Sequence, residues 1–238
     1  MPNNATRNVS TTKKPRQKLT VIIPAAGAGT RMKSYGPKCL LRVDGMSILH
    51  RQIAMVRAAF QDPEIIVVGG FEALKIRKQL PDSVTFVENP HFEHTNVVYS
   101  ISLGMTKAST RNILVVYGDL VFNSQALDFS LHKTSMLVLS DTMHKDEVGC
   151  IVHDNKIENM MYDLYPKWSQ IMYLTGPELD LFKTLVTEQP CSRMLGFEII
   201  NRIIMDGGIF KAVTPNNINI IDIDTSRDIE KAEVICTQ

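Results

Sequence analysis

A loop of small residues with nearby cations is the first feature of this chain that could do chemistry. The loop runs from Pro24 to Met32, directly after the apolar run 19–23. Small side chains let backbone N–H groups approach a phosphate chain closely and form an anion-binding nest. Arg31 lies within the loop and Lys38 follows it, so both cations could fold back over bound phosphates. The loop residues whose backbone could contact phosphates in this way are Ala25, Ala26, Gly27, Ala28 and Gly29.

Two familiar phosphate-binding loops do not fit this stretch. A Walker A loop needs glycine directly before its Lys-Ser pair, and a dinucleotide-binding loop needs its third glycine at the same place. This chain has Met32 there. A tight strand-to-helix turn with incidental cations is the structural alternative to a phosphate site.

Carboxylates at two distant points of the chain could hold a metal ion. Asp119 follows Gly118 at the end of the apolar run 113–117, and ligands collect at the carboxyl ends of strands in an open α/β sheet. Magnesium binds through one or two carboxylates together with phosphates. Further along, strand alternation would place Asp222 and Asp224 on one face, with Ile221 and Ile223 toward the core. Each aspartate could instead cap the element that follows it.

The elements that must position these residues alternate between strands and helices in the first half. Ser47 is predicted to cap the first helix, and Thr225 and Asp228 have the spacing of a capping box before the last one. Apolar strands alternating with helices indicate a mostly parallel sheet covered on both faces. After about residue 134 the rhythm becomes mixed α+β. Predicted strands are 19–23, 64–68, 84–87, 113–117, 135–140, 148–153, 156–161, 209–213 and 218–223; predicted helices are 47–60, 72–80, 97–108, 177–188, 196–206 and one from 226.

The pattern AAGAGTRM followed by PKCLL resembles the nucleotidyltransferase superfamily, which includes sugar-1-phosphate nucleotidyltransferases and small cytidylyltransferases. The resemblance implies a glycosyltransferase-A-like, Rossmann-like three-layer α/β/α sandwich with a mixed, mostly parallel sheet over residues 19–238. It also implies that Gly27, Gly29 and their neighbours hold the triphosphate of an NTP, with Gly118 as a further nucleotide-binding residue. Arg31 would neutralise the β- and γ-phosphates, and Lys38 would lie on the α-phosphate.

The same resemblance extends to the metal and the base. In the family, the position of Asp119 carries the Mg²⁺-binding aspartate, and the late segment around Asp224 resembles the family's EIDTPEDLEKA; we expect Asp224 to be the second ligand, with Asp222 as the alternative. Residues 88–103 resemble the segment that meets the base in choline-phosphate cytidylyltransferases. There Asn96 and Ser100 lie one helical turn apart and could bind a pyrimidine or ribose, unless they only cap the helix.

An aromatic cluster at 162–168 suggests where the acceptor binds. Tyr165 and Trp168, with an acid nearby, could hold an ammonium group by cation–π contacts. Glu198, in a later helical segment, is a third candidate for the acceptor site. The alternative is that the cluster packs a surface hairpin or forms a homodimer contact.

These features together predict transfer of NMP from an NTP, with CTP favoured, to a small phosphorylated or phosphonate acceptor. Alternatives are a sugar-1-phosphate or molybdenum-cofactor enzyme using UTP, dTTP or GTP, or a glycosyltransferase, whose Asp-x-Asp motif is missing at Asp119–Val121. The net charge of +1 argues against a nucleic-acid binder. Four scattered cysteines and the lack of a long apolar run indicate a cytoplasmic protein without membrane insertion. Residues 1–18 form a basic tail predicted to be disordered.

Overall fold

The computed structural model of the protein describes residues 18–27 and 36–236. Within these ranges, nine strands form one sheet in the order β5-β4-β1-β6-β11-β8-β12-β10-β9. A short hairpin, β2 and β3, and a separate strand pair, β7 and β13, lie outside this sheet. The strands are β1 (Thr20–Ala25), β2 (Arg42–Val43), β3 (Met46–Ser47), β4 (Glu64–Gly69), β5 (Val84–Glu88), β6 (Ile113–Val116), β7 (Leu120–Phe122), β8 (Met136–Ser140), β9 (Gly149–His153), β10 (Lys156–Met161), β11 (Lys167–Leu174), β12 (Lys211–Val213) and β13 (Ile220–Asp222).

Six helices accompany these strands in the described residues. Ser47 caps the first one by accepting a hydrogen bond from the backbone N–H of His50, as the sequence predicted. At the last one, the backbone N–H of Thr225 donates to Asp228, which fits the predicted capping box. The helices are α1 (Ile48–Ala59), α2 (Ala73–Arg77), α3 (Val97–Met105), α4 (Gly176–Leu185), α5 (Gly196–Met205) and α6 (Ser226–Cys236).

The sheet is parallel in its first half and mixed in its second. Strands β5, β4, β1 and β6 run parallel, whereas β11 is antiparallel to both of its neighbours, β6 and β8. Strand β11 was not predicted from the sequence, and residues 218–223 were predicted as a strand without β7 as its partner. The predicted mixed, mostly parallel fold is otherwise confirmed.

Alternation along β1 explains why both faces of the sheet are covered. Ile22 faces the core cluster that contains Ile101 of α3, whereas Val21 and Ile23 face the cluster that contains Leu49 of α1. All three β1 side chains are fully buried. A strand buried on both faces must be apolar throughout, which is why the first run of the sequence is readable as a central strand.

Candidate active site

A cleft of about 330 Å³ opens where β1 and β6 end. One wall is formed by the start of the small-residue loop, the segment after β5 and the start of α3. The opposite wall comes from the segment before β9, from β11 and from the start of α5. The cleft is lined by Pro24, Ala26, Gly27, Asn89, Phe92, Thr95, Asn96, Val97, Ser100, Tyr117, Asp119, Glu147, Val148, Tyr162, Trp168, Gln170, Leu195, Gly196 and Phe197.

The start of the small-residue loop lies against this cleft. Ala25 is the last residue of β1 and pairs with Gly69, while Ala26 and Gly27 line the cleft. Among the described residues, a Cβ added at Gly27 would meet no atom within 4 Å. Ala28, Gly29 and Arg31, the other predicted residues of this loop, lie outside the described residues.

Gly118 allows the end of β6 to pack against the end of β1. Its backbone N–H donates to the carbonyl of Pro24 at 3.1 Å. A Cβ at position 118 would lie 2.8 Å from that carbonyl and 2.9 Å from the Cβ of Ala25, closer than side-chain atoms pack. The glycine therefore fixes the position of the next residue, Asp119, beside the loop.

Lys38 joins the two predicted metal-binding carboxylates. Its Nζ lies 2.5 Å from Oδ1 of Asp224 and 3.5 Å from Oδ2 of Asp119. Lys38 and Asp224 are 186 positions apart in the chain. The strand pair β7–β13 brings Asp224 close to Asp119, because the backbone N–H of Ile223 donates to the carbonyl of Asp119 at 3.0 Å.

The electrostatics around Lys38 are dominated by acidic groups. Burial alone would lower the pKa of Lys38, but Asp119 and Asp224 outweigh it and leave that pKa above its ordinary value. Burial raises the pKa of Asp119. Burial, followed by repulsion from Asp119, Glu147 and Asp224, raises the pKa of Asp222 to about 8. The described part of this region thus holds more carboxylates than one ammonium can balance.

Asn96 and Ser100 both lie on the cleft wall, and Asn89 holds Ser100 and Thr95 in place. Asn96 caps α3 by accepting from the backbone N–H of Val97, so the capping role considered from the sequence is present as well. Asn89 is 1% exposed and donates to Ser100 Oγ at 3.1 Å. Its Nδ2 also lies 3.1 Å from Thr95 Oγ1. Amide and hydroxyl groups thus form one hydrogen-bonded wall.

Three polar groups on the opposite wall were not predicted from the sequence. Gln170 donates to the carboxylate of Glu147 at 3.1 Å, and both residues line the cleft. Burial raises the pKa of Glu147, and the charges of Asp224 and Asp119 add to this effect. The hydroxyl of Tyr117 is buried and has no hydrogen-bond partner among the described residues.

Residues 21–168, more than half of the chain, match the MobA-like NTP transferase domain family. The chain belongs to this family. The resemblance read from the small-residue loop and PKCLL is confirmed. The segment matched reaches from β1 to the start of β11 and includes Lys38, Asp119 and Glu147.

Curated relatives and solved structures agree with this membership. The bifunctional protein GlmU of Stutzerimonas stutzeri (strain A1501) is 37% identical over 146 residues, which are 59% of this chain and 32% of the relative. GlmU of Aliarcobacter butzleri (strain RM4018) is 22% identical over 92% of this chain and 53% of the relative. The chain therefore spans about half or less of the length of these relatives.

Two solved structures share the fold over nearly the whole chain. The inositol-1-phosphate CTP transferase from T. maritima superposes with a TM-score of 0.74 at 21% identity, covering 92% of this chain and 96% of the other. The CTP:phosphocholine cytidylyltransferase from Streptococcus pneumoniae has a TM-score of 0.74 at 19% identity, covering 92% of this chain and all of the other. At these identities the match shows the fold.

Of the aromatic cluster at 162–168, Tyr162 and Trp168 line the cleft and Tyr165 does not. Trp168 is only 3% exposed, and its indole N–H donates to the carbonyl of Ile171. The residue therefore belongs mainly to the core, although part of it lines the cleft. Tyr165 does not line the cleft, and its ring is covered by the ammonium of Lys167 at 4.4 Å. Glu198 accepts from the backbone N–H of Leu195 at 2.6 Å and caps α5 instead of lining the cleft.

No helix in the described residues is long and apolar enough to span a bilayer. Nor do three or more His, Cys, Asp or Glu side chains of these residues form a group that could hold a metal ion by themselves. The predicted tail, residues 1–18, lies outside the described residues except for Lys18, whose carbonyl accepts a hydrogen bond from Asn112.

Proposed function

We propose that this protein is a Mg²⁺-dependent nucleotidyltransferase that transfers NMP from an NTP, preferably CTP, to a small phosphorylated or phosphonate acceptor. The observation that carries the proposal is the placement of Lys38 between Asp119 and Asp224 at the edge of the cleft. A cation and two carboxylates beside a small-residue loop are the groups that nucleotidyl transfer requires.

In the proposed reaction, an acceptor oxygen attacks the α-phosphorus of the NTP in line. A bond forms between that oxygen and the α-phosphorus, the bond from the α-phosphorus to the bridging oxygen breaks, and pyrophosphate leaves. Two anions must meet, so positioning and electrostatic stabilisation supply most of the catalysis. The Lys38 ammonium would stabilise charge on the α-phosphate, and the loop from Ala25 through Arg31 would hold the triphosphate.

The carboxylates around Lys38 fit a hard divalent cation. Asp119 and Asp224 both reach one ammonium nitrogen, so their oxygens already converge on a positive charge. Magnesium commonly takes only one or two protein carboxylates and completes its shell with water and phosphate. When bound, Mg²⁺ would neutralise charge on the transferring phosphate. Burial, followed by repulsion from Asp119, Glu147 and Asp224, raises the pKa of Asp222, and a bound cation would relieve that repulsion.

The preference for CTP rests on the wall formed by Asn89, Asn96 and Ser100. Amide and hydroxyl groups can pair with the edge of a pyrimidine base or with ribose hydroxyls. Asn89 holds Ser100 in place by a buried hydrogen bond, so the wall is preorganised. Two proteins of the same fold are named for CTP-dependent transfer, which adds support.

A screen for pyrophosphate release tests the proposal directly. Four NTPs would each be offered with phosphocholine, phosphoethanolamine, 2-aminoethylphosphonate, inositol 1-phosphate and glucose 1-phosphate, with Mg²⁺ and with chelator. We expect release with CTP and at least one acceptor, abolished by chelator. Failure of every combination would overturn the proposed function, and release without added metal would remove Mg²⁺ from it.

A sugar-1-phosphate nucleotidyltransferase using UTP, dTTP or GTP is the second candidate. The observation that favours it is the 37% identity to a GlmU protein over 59% of this chain. The same screen separates the two candidates, because this one predicts turnover of glucose 1-phosphate with a donor other than CTP.

A further inference from the structure

We infer that Glu147 selects the acceptor, and that the preferred acceptor carries a positively charged amino or ammonium group at the end remote from its phosphorus. This inference rests on the proposed function. It adds to Tyr162 and Trp168 of the predicted aromatic cluster a carboxylate on the cleft wall that the sequence did not point to.

An irregularity in β11 presents Glu147 to the cleft. Between the pairs Trp168–Leu139 and Met172–Leu137, β11 has two more residues than β8, so the strand bulges. Gln170 lies in the bulge with φ at +60°, a left-handed conformation that non-glycine residues seldom adopt. Such bulges re-aim side chains, and strained backbone concentrates at functional sites. Here the bulge directs the Gln170 amide onto the carboxylate of Glu147.

A buried lysine holds the backbone of Glu147 from the other side. Lys167, also in β11, is fully buried, and its Nζ donates to the carbonyl of Glu147 at 2.7 Å. An ammonium group is costly to bury, so a lysine used to fix one carbonyl is expected where the position of that segment matters. Glu147 is therefore held at both its carbonyl and its carboxylate by neighbours in one strand.

The surroundings of Glu147 favour a cation. The charged side chains that line the described part of the cleft are Asp119 and Glu147, both acidic. Burial, followed by the charges of Asp224 and Asp119, raises the pKa of Glu147, and a positive group placed beside Glu147 would stabilise its ionised form.

The remaining wall has few side chains that could form hydrogen bonds with the hydroxyl groups of a sugar. It presents aromatic surface from Tyr162, Trp168 and Phe197, of which Tyr162 and Phe197 pack edge to face with centroids 5.6 Å apart. Aromatic faces accommodate ammonium groups well.

The decisive measurement is steady-state kinetics of Glu147→Gln with CTP fixed and the acceptor varied. For phosphocholine, phosphoethanolamine or 2-aminoethylphosphonate we expect kcat/KM to fall by about 30-fold or more, since truncating a desolvated charge pair typically costs that much. The KM for CTP, and kcat/KM for inositol 1-phosphate or glucose 1-phosphate, should change by less than about threefold. Comparing the primary amine with phosphocholine then distinguishes the two kinds of cationic headgroup.

Asp146→Asn is the matched control, because it removes the same charge one residue earlier, from an exposed side chain paired with His144. A second variant, Gln170→Gly, removes the amide that orients Glu147 and relieves the positive φ. It should raise KM for the cationic acceptor without lowering Tm, so that loss of the fold cannot explain the effect.

The outcomes separate this inference from the proposed function. If the parent protein turns over a neutral sugar phosphate better than every cationic acceptor, the inference fails and nucleotidyl transfer stands. An unchanged acceptor preference in Glu147→Gln, or an equal loss in Asp146→Asn, would also overturn it. If no acceptor of the panel releases pyrophosphate, the proposed function fails and the inference fails with it.

Discussion

Replacing Lys38 by alanine tests the centre of the proposed site. The side chain of Lys38 is only 16% exposed, and it pairs with both Asp119 and Asp224. Opposite charges at about 4 Å attract by about 4 kcal/mol at the dielectric constant typical near a protein surface. Desolvation of the ammonium offsets part of this, and the 38% exposure of Asp224 screens another part. We therefore expect Lys38→Ala to lower the free energy of unfolding by about 1–2 kcal/mol. For a chain of this size, that loss lowers Tm by about 2–8 °C.

Activity should fall far more than stability does. Removing one preorganised group that stabilises transition-state charge typically lowers kcat by about 100- to 1,000-fold. Magnesium should restore much of the lost Tm in Lys38→Ala, because a divalent cation relieves the repulsion among the carboxylates left behind. Magnesium should not restore kcat, because the ammonium proposed to stabilise the α-phosphate is still missing.

The assays are a thermal melt with and without Mg²⁺ and pyrophosphate release under saturating substrates. Lys75→Ala is the matched control: Lys75 also forms a 2.5 Å ion pair, with Glu72, but its side chain is 64% exposed on α2. Exposed pairs contribute little, so both Tm and kcat should stay near those of the parent. Near-normal kcat in a folded Lys38→Ala protein would exclude Lys38 from the mechanism.

Three further predictions concern the residues around Lys38. Asp119→Asn and Asp224→Asn should each weaken the Mg²⁺ dependence and lower kcat. The fold loss in kcat of the double variant should be smaller than the product of the two single losses, because residues that share one ion act as a unit. A double loss equal to that product would contradict this. In chelator, Tm should fall as pH rises from about 5 to about 8, since the native state retains the Asp222 proton, with a pKa of about 8, after the unfolded chain has lost its own. The contribution of Asp222 to the free energy of unfolding should change by at most about 1.4 kcal/mol per pH unit, and the fall in Tm should become shallower in Asp222→Asn; a Tm that rises over this range would refute the sign. Gly118→Ala should lower the free energy of unfolding by about 1–3 kcal/mol and reduce activity, because the added methyl group would lie 2.8 Å from the carbonyl of Pro24. An unchanged Tm would show that the ends of β1 and β6 separate easily.

The first half of the fold could be predicted because its signals are local. Fully buried parallel strands are apolar throughout, so β1, β4 and β6 are visible as runs, and the cap at Ser47 marks α1. Helix α2 is shorter than predicted, Ala73–Arg77 in place of 72–80, and begins after Glu72 in a left-handed conformation. A hydrophobic pattern does not report such a backbone.

The second half was harder because its strands depend on tertiary contacts. Polar residues at 169 and 170 interrupt the apolar pattern of β11, and the structure accommodates them by the bulge and by a hydrogen bond from Ser169 to Val138. Glu147 ends a charged stretch that is typical of a solvated loop, so its position on the cleft wall could not be inferred. Asn89 precedes a proline and looks like a turn residue, although it is buried. Tyr165 and Glu198 were predicted at the acceptor site because their residue types suit a ligand. In the structure they do not line the cleft, and their contacts are with nearby residues of the chain.

Strand β11 gives the cleft its geometry by linking the two halves of the chain. It lies antiparallel between β6 and β8, and its Ile171 pairs with Val116, three positions before Asp119. The residue before Ile171 is Gln170, which orients Glu147, so the acidic group of the acceptor wall and the carboxylate at the end of β6 are both fixed by one pair of hydrogen-bonded strands. An acceptor whose headgroup contacts Glu147 must therefore present its phosphate at a set distance from Asp119. Chain length between headgroup and phosphate should consequently affect kcat more than KM, because a wrong length leaves the headgroup bound and misplaces the attacking oxygen.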